Sequence, residues 1–251
     1  MDRDTKLINL ALDAGEIMIK NGAETFRVKD TMRRILGTTG REKIEATALV
    51  TLLLATLPRE NKPPLSMMRG IHSRSVNFQK VCHVNDMSRA FVEGRIDLDE
   101  AIRMLDEINH ERKYHIPTRT IGYGIIAGCF SFLTSQSPLD GAVSAFIGMM
   151  LGCLSLWLDT KKMPYFLSPF LCGAFIAYSA CWLQPVFPST QIDTIVIGGL
   201  MPLLPGVTFS KAMRDILEGS IISGYTKAVE ALVIAASLAG GIGLTLSYFL
   251  A

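Results

Sequence analysis

Five long apolar runs follow Pro117 and dominate the second half of the chain. They lie near residues 119–136, 139–158, 164–187, 191–209 and 225–250. Each is close to the ~20 residues that a helix needs to cross the hydrocarbon core of a bilayer. Backbone N–H and C=O groups inside a bilayer must be paired within the protein, so continuous runs of this length are expected to be helices. The sequence therefore predicts an α-helical membrane protein with a five-helix transmembrane domain at residues 117–251.

Most of the charge precedes these runs. Residues 1–118 carry 19 of the 25 Lys and Arg residues and 17 of the 23 Asp and Glu residues. The first apolar positions are interrupted by Asp13, Glu16 and Lys20, unlike those of a signal peptide. We therefore predict a small cytoplasmic α/β domain at residues 1–116. The formal net charge of +2, without a basic stripe between aromatic residues, does not favour nucleic-acid binding.

Apolar spacing and turn residues predict four helices and two strands in this domain. The two strands are expected to be antiparallel, and the last helix to begin with a capping box. In chain order the predictions are a helix from Leu7 to about Asn21, a helix that ends at Gly37, strands at 44–57 and 66–77 with a turn at 59–64, and helices at 85–93 and from Asp97 to about Tyr114.

Basic residues in the loops between the apolar runs predict their orientation. The second and fourth loops contain Lys161, Lys162, Lys211, Arg214 and Lys227, whereas the first and third contain no Lys or Arg. Cytoplasmic loops of membrane proteins carry an excess of Lys and Arg. We therefore predict a multi-pass protein of the inner, cytoplasmic membrane, with its C-terminus outside.

Small residues recur at four-residue spacing in three of the runs and predict close helix contacts. The pairs are Gly124 with Gly128, Gly148 with Gly152, and Ala236 with Gly240. The odd number of runs has no second half of similar size, as an inverted repeat would need. A partner subunit or a homo-oligomer is therefore expected.

The fourth run is interrupted by Pro202, Pro205 and Gly206. Proline cannot donate a backbone hydrogen bond, and its ring clashes with the preceding turn of a helix. Backbone groups freed in this way at membrane depth normally face protein or a water-filled cavity, and transporters use such interrupted helices to bind their substrates. The sequence therefore favours a substrate site at these three residues, and the alternative is a simple proline kink.

Three ionisable residues near this break are further candidates for substrate binding or coupling. Arg214 and Asp215 lie in a predicted short cytoplasmic helix at residues 210–217. Arg214 can contact a carboxylate with its planar guanidinium, or it can simply lie at the membrane interface. Glu230 is the one ionisable residue clearly inside an apolar run, so it is either a coupling carboxylate or a boundary residue that reaches water.

A polar motif, GAETFRVKD at residues 22–30, lies between the first two predicted helices. Glu24 and Arg27 are three residues apart and can pair on a helix surface. The motif is either a helix start with a solvated ion pair or a contact between the soluble domain and the membrane domain through Gly22, Glu24 and Arg27. The sequence contains no metal-ligand spacing, P-loop or hydrolase motif, so we predict no metal, no cofactor and no enzymatic activity.

Three stretches together resemble the threonine/serine exporter family, in particular the larger, YjjP-like subunit of the bacterial form that is split into two chains. They are GAETFRVKD, the segment with Arg74–Asn77 and Val84–Arg89, and the pattern of Pro205, Gly206, Arg214, Asp215, Gly219 and Gly224. The resemblance follows nearly the whole chain in order. It implies a cytoplasmic domain followed by five membrane helices, and association with a smaller, all-membrane subunit of the same superfamily.

The resemblance also implies export of a small carboxylate metabolite, either threonine and serine or a dicarboxylate such as succinate, driven by the proton gradient. Together with the broken fourth run, this leads us to expect a secondary exporter subunit that uses alternating access. The alternative is a membrane-anchored regulatory or sensing module whose soluble domain is the active part. In that case unrelated helices could replace the membrane domain without loss of function.

Overall fold

The computed structural model describes residues 2–60, 62–72, 75–111, 116–161, 163–164 and 166–250. Two compact units are found. One contains Met1–Lys113 and Ser210–Lys227, and the other contains Tyr114–Phe209 and Ala228–Ala251. The segment at residues 210–227 thus packs with the N-terminal residues, although it lies between apolar runs in the sequence. Each unit is described separately below.

The first unit combines four helices and a sheet with the segment at residues 210–227. Its elements are α1 (Arg3–Lys20), α2 (Thr25–Gly37), β1 (Glu45–Ala48), β2 (Leu52–Arg59), β3 (Lys62–Gly70), α3 (Phe78–Val92) and α4 (Leu98–His110). One face of α1 supplies much of the core, because its apolar residues recur at helical spacing and are buried against the sheet and the other helices.

The sheet is antiparallel in the order β1-β2-β3. We predicted one strand at residues 44–57, and this is wrong, because the chain reverses between Ala48 and Leu52. The Leu49 N–H donates to the Leu52 carbonyl at 2.7 Å and closes the turn. The reversal lets Ala46 of β1 and its partner Ala55 of β2 both face the helices, which a single extended strand could not achieve.

The predicted antiparallel strand at residues 66–77 is confirmed in direction but not in position. It begins at Lys62, where the sequence predicted a turn at 59–64, and ends at Gly70. Prolines at 63 and 64 are accommodated because β3 is an edge strand, which needs hydrogen bonds on one side only. Arg74, which contributes to the resemblance described above, lies outside the described residues.

Both helices after the sheet are present. α3 begins at Phe78, seven residues before the predicted start, because the Asn77 side chain caps it and accepts from the Lys80 N–H at 3.3 Å. α4 begins as predicted, with the Asp97 side chain accepting from the Glu100 N–H at 2.7 Å. It ends at His110, and its predicted end at Tyr114 lies outside the described residues.

The second unit is helical in its described part. It contains α5 (Ile116–Ser135), α6 (Pro138–Thr160), α7 (Leu167–Leu183), α8 (Ile192–Leu200) and a 3₁₀ turn (Met201–Leu203). It also contains the start of α9 (Gly206–Leu217) and most of α10 (Ile221–Leu250). Lys162, used above for the orientation, lies outside the described residues.

Glycines bring α5 and α6 into close contact, as predicted. A Cβ added at Gly148 would lie 2.6 Å from the Ala127 Cβ, and one added at Gly124 would lie 2.9 Å from the Ala145 carbonyl oxygen. The third predicted pair is different, because a Cβ at Gly240 would lie 3.7 Å from Phe170, an ordinary contact. Close approach between α7 and α10 instead occurs at Gly173 and Gly241.

Within the described residues, α6 and α10 are each long and apolar enough to cross a membrane, and the bent pair of α8 with α9 gives a third candidate. α7 is apolar but has only 17 residues. The 20-residue α5 carries Arg119 in its first turn and is not among these candidates. The predicted α-helical membrane fold is therefore confirmed, but the count of five spans is not.

Candidate functional site

The fourth apolar run breaks where its prolines predict. α8 ends at Leu200, the 3₁₀ turn follows, Leu204 is extended with ψ 133°, and α9 begins at Gly206. The two helical parts are bent by 51° at this point. The run is thus interrupted by a change of backbone conformation, which is more than a kink in a continuous helix.

The helical hydrogen-bond ladder continues to Leu204 and gives way to a tight turn at Gly206. The Leu204 N–H donates to the Leu200 carbonyl at 3.2 Å, and the Gly206 N–H donates to the Leu204 carbonyl at 2.8 Å. Pro202 and Pro205 are half-buried, and Gly206 is exposed, with no described atom within 4 Å of the place where a Cβ would stand. Substrate binding at these three residues stays a prediction.

Beyond the break, α9 and the first turns of α10 form a tight hairpin in the first unit. α9 ends at a left-handed glycine, Gly219 (φ 80°), and the Ser220 N–H donates to the Asp215 carbonyl at 2.7 Å. A Cβ added at Gly224 would lie 2.8 Å from the Ala212 carbonyl oxygen. These glycines let α10 fold back on α9, which brings Asp215 and Lys227 together.

Asp215, Lys227 and Thr25 form a buried ionic cluster, called the Asp215 cluster below. The Asp215 side chain is 0% exposed and that of Lys227 10%, and the Lys227 Nζ donates to Asp215 at 2.6 Å. The Thr25 N–H and hydroxyl donate to the two oxygens of Asp215 at 3.1 and 2.9 Å. The Thr25 hydroxyl also accepts from Lys227 at 3.2 Å, so each of the three side chains contacts the other two.

Asp215 also supplies a negative charge at the N-terminus of α2. Thr25 is the first residue of α2, and its N-cap residue, Glu24, makes no side-chain cap to its own helix. The carboxylate of Asp215 takes that place and accepts from the Thr25 N–H. A negative charge at a helix N-terminus is favourable because the free N–H groups there carry partial positive charge. Asp215 therefore joins α9 to the start of α2.

The remaining residues of the GAET motif also contact α9. Arg214 donates to Glu24 at 2.5 Å, and the Glu24 side chain is only 13% exposed. The Lys211 Nζ donates to the Gly22 carbonyl and stacks over the Phe78 ring, 4.6 Å from its centroid. The interpretation of Glu24 and Arg27 as a solvated pair therefore fails for Glu24, whose nearest cation is Arg214 and whose distance to the Arg27 Nε is 4.0 Å.

Gly22 is required by backbone conformation and by space. It has φ 91° and follows the C-cap of α1, where the Ala23 N–H donates to the Met18 carbonyl at 2.9 Å. A Cβ at this position would lie 2.9 Å from the Lys211 Nζ. The same glycine thus ends α1 and leaves room for the lysine of α9.

The structure unites two motifs that the sequence presented separately. The predicted site residues Gly22 and Glu24 meet Arg214 and Asp215 in the first unit. The GAET residues thus contact the segment at residues 210–227, and their predicted contact with the membrane domain stays a prediction. Among the described residues, Arg27 is within ion-pair distance of Glu24 alone. Glu230 is half-buried on α10 in the second unit.

Sequence reasoning missed Thr25, Lys211 and Lys227 as site residues. The two lysines were used only to predict orientation, and the threonine lay unnoticed inside the motif. A signal was available, because a lysine and an aspartate flanking a short glycine-containing hairpin have an opposite charge within reach. No group of three or more His, Cys, Asp or Glu residues that could hold a metal ion occurs among the residues that the structure describes.

The fold and the site define an α-helical membrane protein with an interrupted apolar helix and a charged segment that packs within an α/β unit. Comparison with protein families then gives the identification. The chain belongs to the threonine/serine exporter family, ThrE, whose family model, described as "Putative threonine/serine exporter", matches residues 9–249. This is a family of transporters and not of enzymes.

Two curated relatives support the assignment. The chain is 22% identical over 250 residues to the "Threonine/serine exporter" of Corynebacterium glutamicum, covering 95% of this chain and 50% of the relative. It is 22% identical over 244 residues to the "Probable threonine/serine exporter" of Mycobacterium tuberculosis, covering 96% of this chain and 46% of the relative. The chain thus spans about half the length of these relatives. No solved structure matches it.

Proposed function

We propose that the chain is a subunit of a secondary exporter that moves a small carboxylate metabolite out of the cytoplasm. The substrate class is threonine and serine or a dicarboxylate such as succinate, and the driving force is the proton gradient. The observation that carries the proposal is the interrupted helix at Met201–Gly206, found in a family whose named members are exporters. The relatives' names supply the amino-acid substrates.

The broken helix supports alternating access around a fixed site. Pro202 and Pro205 have no N–H, and the backbone beside them leaves the helical ladder, so its polar groups can turn to a bound molecule. Freed N–H groups suit a carboxylate and freed carbonyls suit an ammonium group. The space beside Gly206 among the described residues is the place for such a ligand.

Arg214 has a second part in this proposal. Its side chain is 59% exposed although it contacts Glu24 at 2.5 Å, so the guanidinium can exchange one carboxylate for another. A substrate carboxylate that reaches Arg214 competes with Glu24 for the same donor. Asp215, held by Lys227 and Thr25, keeps α9 in place, and Glu230 is the candidate for coupling on α10.

The assembly that we propose contains a second, smaller membrane subunit of the same superfamily. The curated relatives are about twice as long as this chain, and a second subunit would supply the corresponding remainder. The protein would lie in the inner membrane with residues 1–116 in the cytoplasm and the C-terminus outside.

Counterflow tests this function directly. Vesicles that contain the chain and the smaller subunit are loaded with unlabelled threonine, serine or succinate, and entry of the labelled compound is followed. We expect counterflow with at least one of the three. Pro205→Ala and Glu230→Gln should slow it, whereas the exposed controls Pro185→Ala and Glu218→Gln should not.

Absence of counterflow with all three compounds overturns the proposed function. Wild-type rates in both Pro205→Ala and Glu230→Gln would leave the exporter in place but remove these residues from its site.

A further inference from the structure

A carboxyl group is buried in the second unit, and none of the described cations lies beside it. Asp140 is 1% exposed and lies in the first turn of α6. Its carboxylate makes no ion pair within the described residues. Ionisable groups buried in this way within a membrane protein usually serve function, because burying an unpaired charge is costly.

The hydrogen bonds of Asp140 are long and incomplete for an ionised carboxylate. One oxygen accepts from the Gln191 N–H at 3.4 Å, and the other lies 3.3 Å from the Thr194 hydroxyl. That hydroxyl has a nearer acceptor, the Gln191 carbonyl at 2.9 Å. A hydroxyl has one proton to donate, so the stronger bond to Gln191 leaves a lone pair of Thr194 facing Asp140.

The protonated acid completes this arrangement. Its O–H would donate to Thr194, Thr194 donates to the Gln191 carbonyl, and the second oxygen of Asp140 accepts from the Gln191 N–H. The ionised form is also supported, because its charge lies at the N-termini of both α6 and α8. The same surroundings therefore accept both forms of the carboxyl.

Two further buried hydroxyls extend the polar interior between α5, α6 and α8. Ser144 lies one turn beyond Asp140 on α6, and a Cβ added at Gly198 of α8 would lie 2.8 Å from the Ser131 Cβ on α5. Both serines are 0% exposed, and neither hydroxyl has a hydrogen-bond partner in the described part of the chain. Unpaired hydroxyls in a dry core are unfavourable, whereas along a proton route they can accept and donate hydrogen bonds.

Few other ionisable groups lie near this carboxyl. Among the described residues on the neighbouring ends of the helices packed against α6, they are the exposed Cys129, Tyr178 and Asp193 and the half-buried Cys181. Arg119 lies near the opposite end of α6, where its guanidinium is 3.9 Å from Asp159. Asp140 is thus the acid of this interior, and Asp193 is its exposed neighbour.

We propose that Asp140 is a proton-binding site of the transport cycle. The carboxylate takes up one proton from water on one side of the membrane and releases it to the other side, while the substrate moves in the opposite direction. This inference rests on the proposed function. Asp140 lies at the end of α6 that the charge bias predicts to face outside, where protons enter under an inward gradient.

The carboxyl is linked to the broken helix through α8. Thr194 and the break at Met201 are seven residues apart on one helical stretch, about 10 Å at 1.5 Å per residue. Protonation weakens the charge-assisted bond from the Gln191 N–H and adds an O–H bond to Thr194, so it changes how α6 holds the start of α8. Occupancy of the proton site thereby changes the position of the helix that carries the break.

The test separates proton coupling from transport. In vesicles with both subunits, labelled threonine, serine or succinate is followed in counterflow and in accumulation driven by an imposed pH gradient. Asp140→Asn should keep counterflow and lose gradient-driven accumulation, and Asp140→Glu should keep both. The matched control Asp193→Asn should resemble wild type in both assays.

A second variant addresses the alternative that Asp140 only caps two helices. Thr194→Val removes the acceptor for the acid proton, so the pH profile of accumulation should be displaced from that of wild type. A purely structural role predicts no such shift. Gradient-driven accumulation by Asp140→Asn, or an unshifted profile in Thr194→Val, overturns the inference, whereas absent counterflow in wild type overturns the proposed function instead.

Discussion

Removing either charge of the Asp215 cluster should destabilise the protein, but by different amounts for Asp215 and Lys227. Asp215→Asn leaves the Lys227 ammonium buried with only neutral acceptors, and breaking a buried ion pair in this way costs about 3–5 kcal/mol. Exposures of 0% and 10% for the two side chains mean that water can relieve little of this cost. We therefore expect Asp215→Asn to destabilise the first unit by about that amount.

Lys227→Met should cost less, roughly 1–3 kcal/mol, because its partner keeps other support. The Asp215 carboxylate still accepts from the Thr25 N–H and hydroxyl and still lies at the N-terminus of α2. In the double variant no unpaired charge remains, and stability should return to within about 1–2 kcal/mol of wild type. The two substitutions are thus expected to be strongly non-additive.

Hydrogen exchange of the full chain, followed by mass spectrometry, can measure these differences in the correct unit. Peptides that cover α2 should exchange roughly 100- to 4,000-fold faster in Asp215→Asn, since each 1.4 kcal/mol is a factor of ten. Peptides from α6 and the fluorescence of Trp157 and Trp182, which lie in the second unit, serve as internal controls. Equal and additive effects of the two single substitutions would refute this account of the cluster.

Two further predictions concern the first unit. Gly22→Ala should destabilise it by about 1–2 kcal/mol, because Gly22 has a positive φ and the new Cβ would crowd Lys211. The control Gly37→Ala has open space around it and should be neutral or slightly stabilising. Thermal unfolding compares the two variants. The Arg41 guanidinium donates to Asp4 at 2.9 Å and lowers the pKa of that carboxyl. The pair therefore stabilises the fold above the ordinary Asp pKa of about 3.9, and this contribution is lost as pH falls through the lowered value. In denaturant titrations, the difference of up to ~1 kcal/mol between wild type and Arg41→Gln should shrink below about pH 4, and a difference that persists in acid would contradict the assignment.

The contacts of Arg214 explain why the segment at residues 210–227 packs in the first unit, although its sequence resembles a loop between membrane helices. Its partner Glu24, like the Asp215 cluster, needs the start of α2 to be close to α9. A short basic segment after an apolar run predicts a cytoplasmic loop, but the positive-inside pattern says nothing about which side chains the loop contacts. Here those contacts supply the first unit with part of its interior.

The sequence by itself determined the features that depend on neighbours along the chain. Helical spacing gave the end of α1, although the helix begins four residues before the predicted Leu7. The Asp97 cap gave the start of α4, and the prolines gave the break after Leu200, because each results from local backbone geometry. The division of charge and the apolar runs indicated a membrane protein, and the ordered motifs indicated the family. Exact strand limits failed because a reversal at Leu49 depends on both strands packing on the same helices.

Only the tertiary structure decided which distant residues share a site. Thr25 and Asp215 are separated by 190 positions, and no local pattern specifies that the amide of one meets the carboxylate of the other. Likewise Asp140, which in sequence is an ordinary acid beside a loop, becomes buried because α8 covers the start of α6. Burial and hydrogen-bond partners are set by packing between helices, and packing is a property of the whole fold.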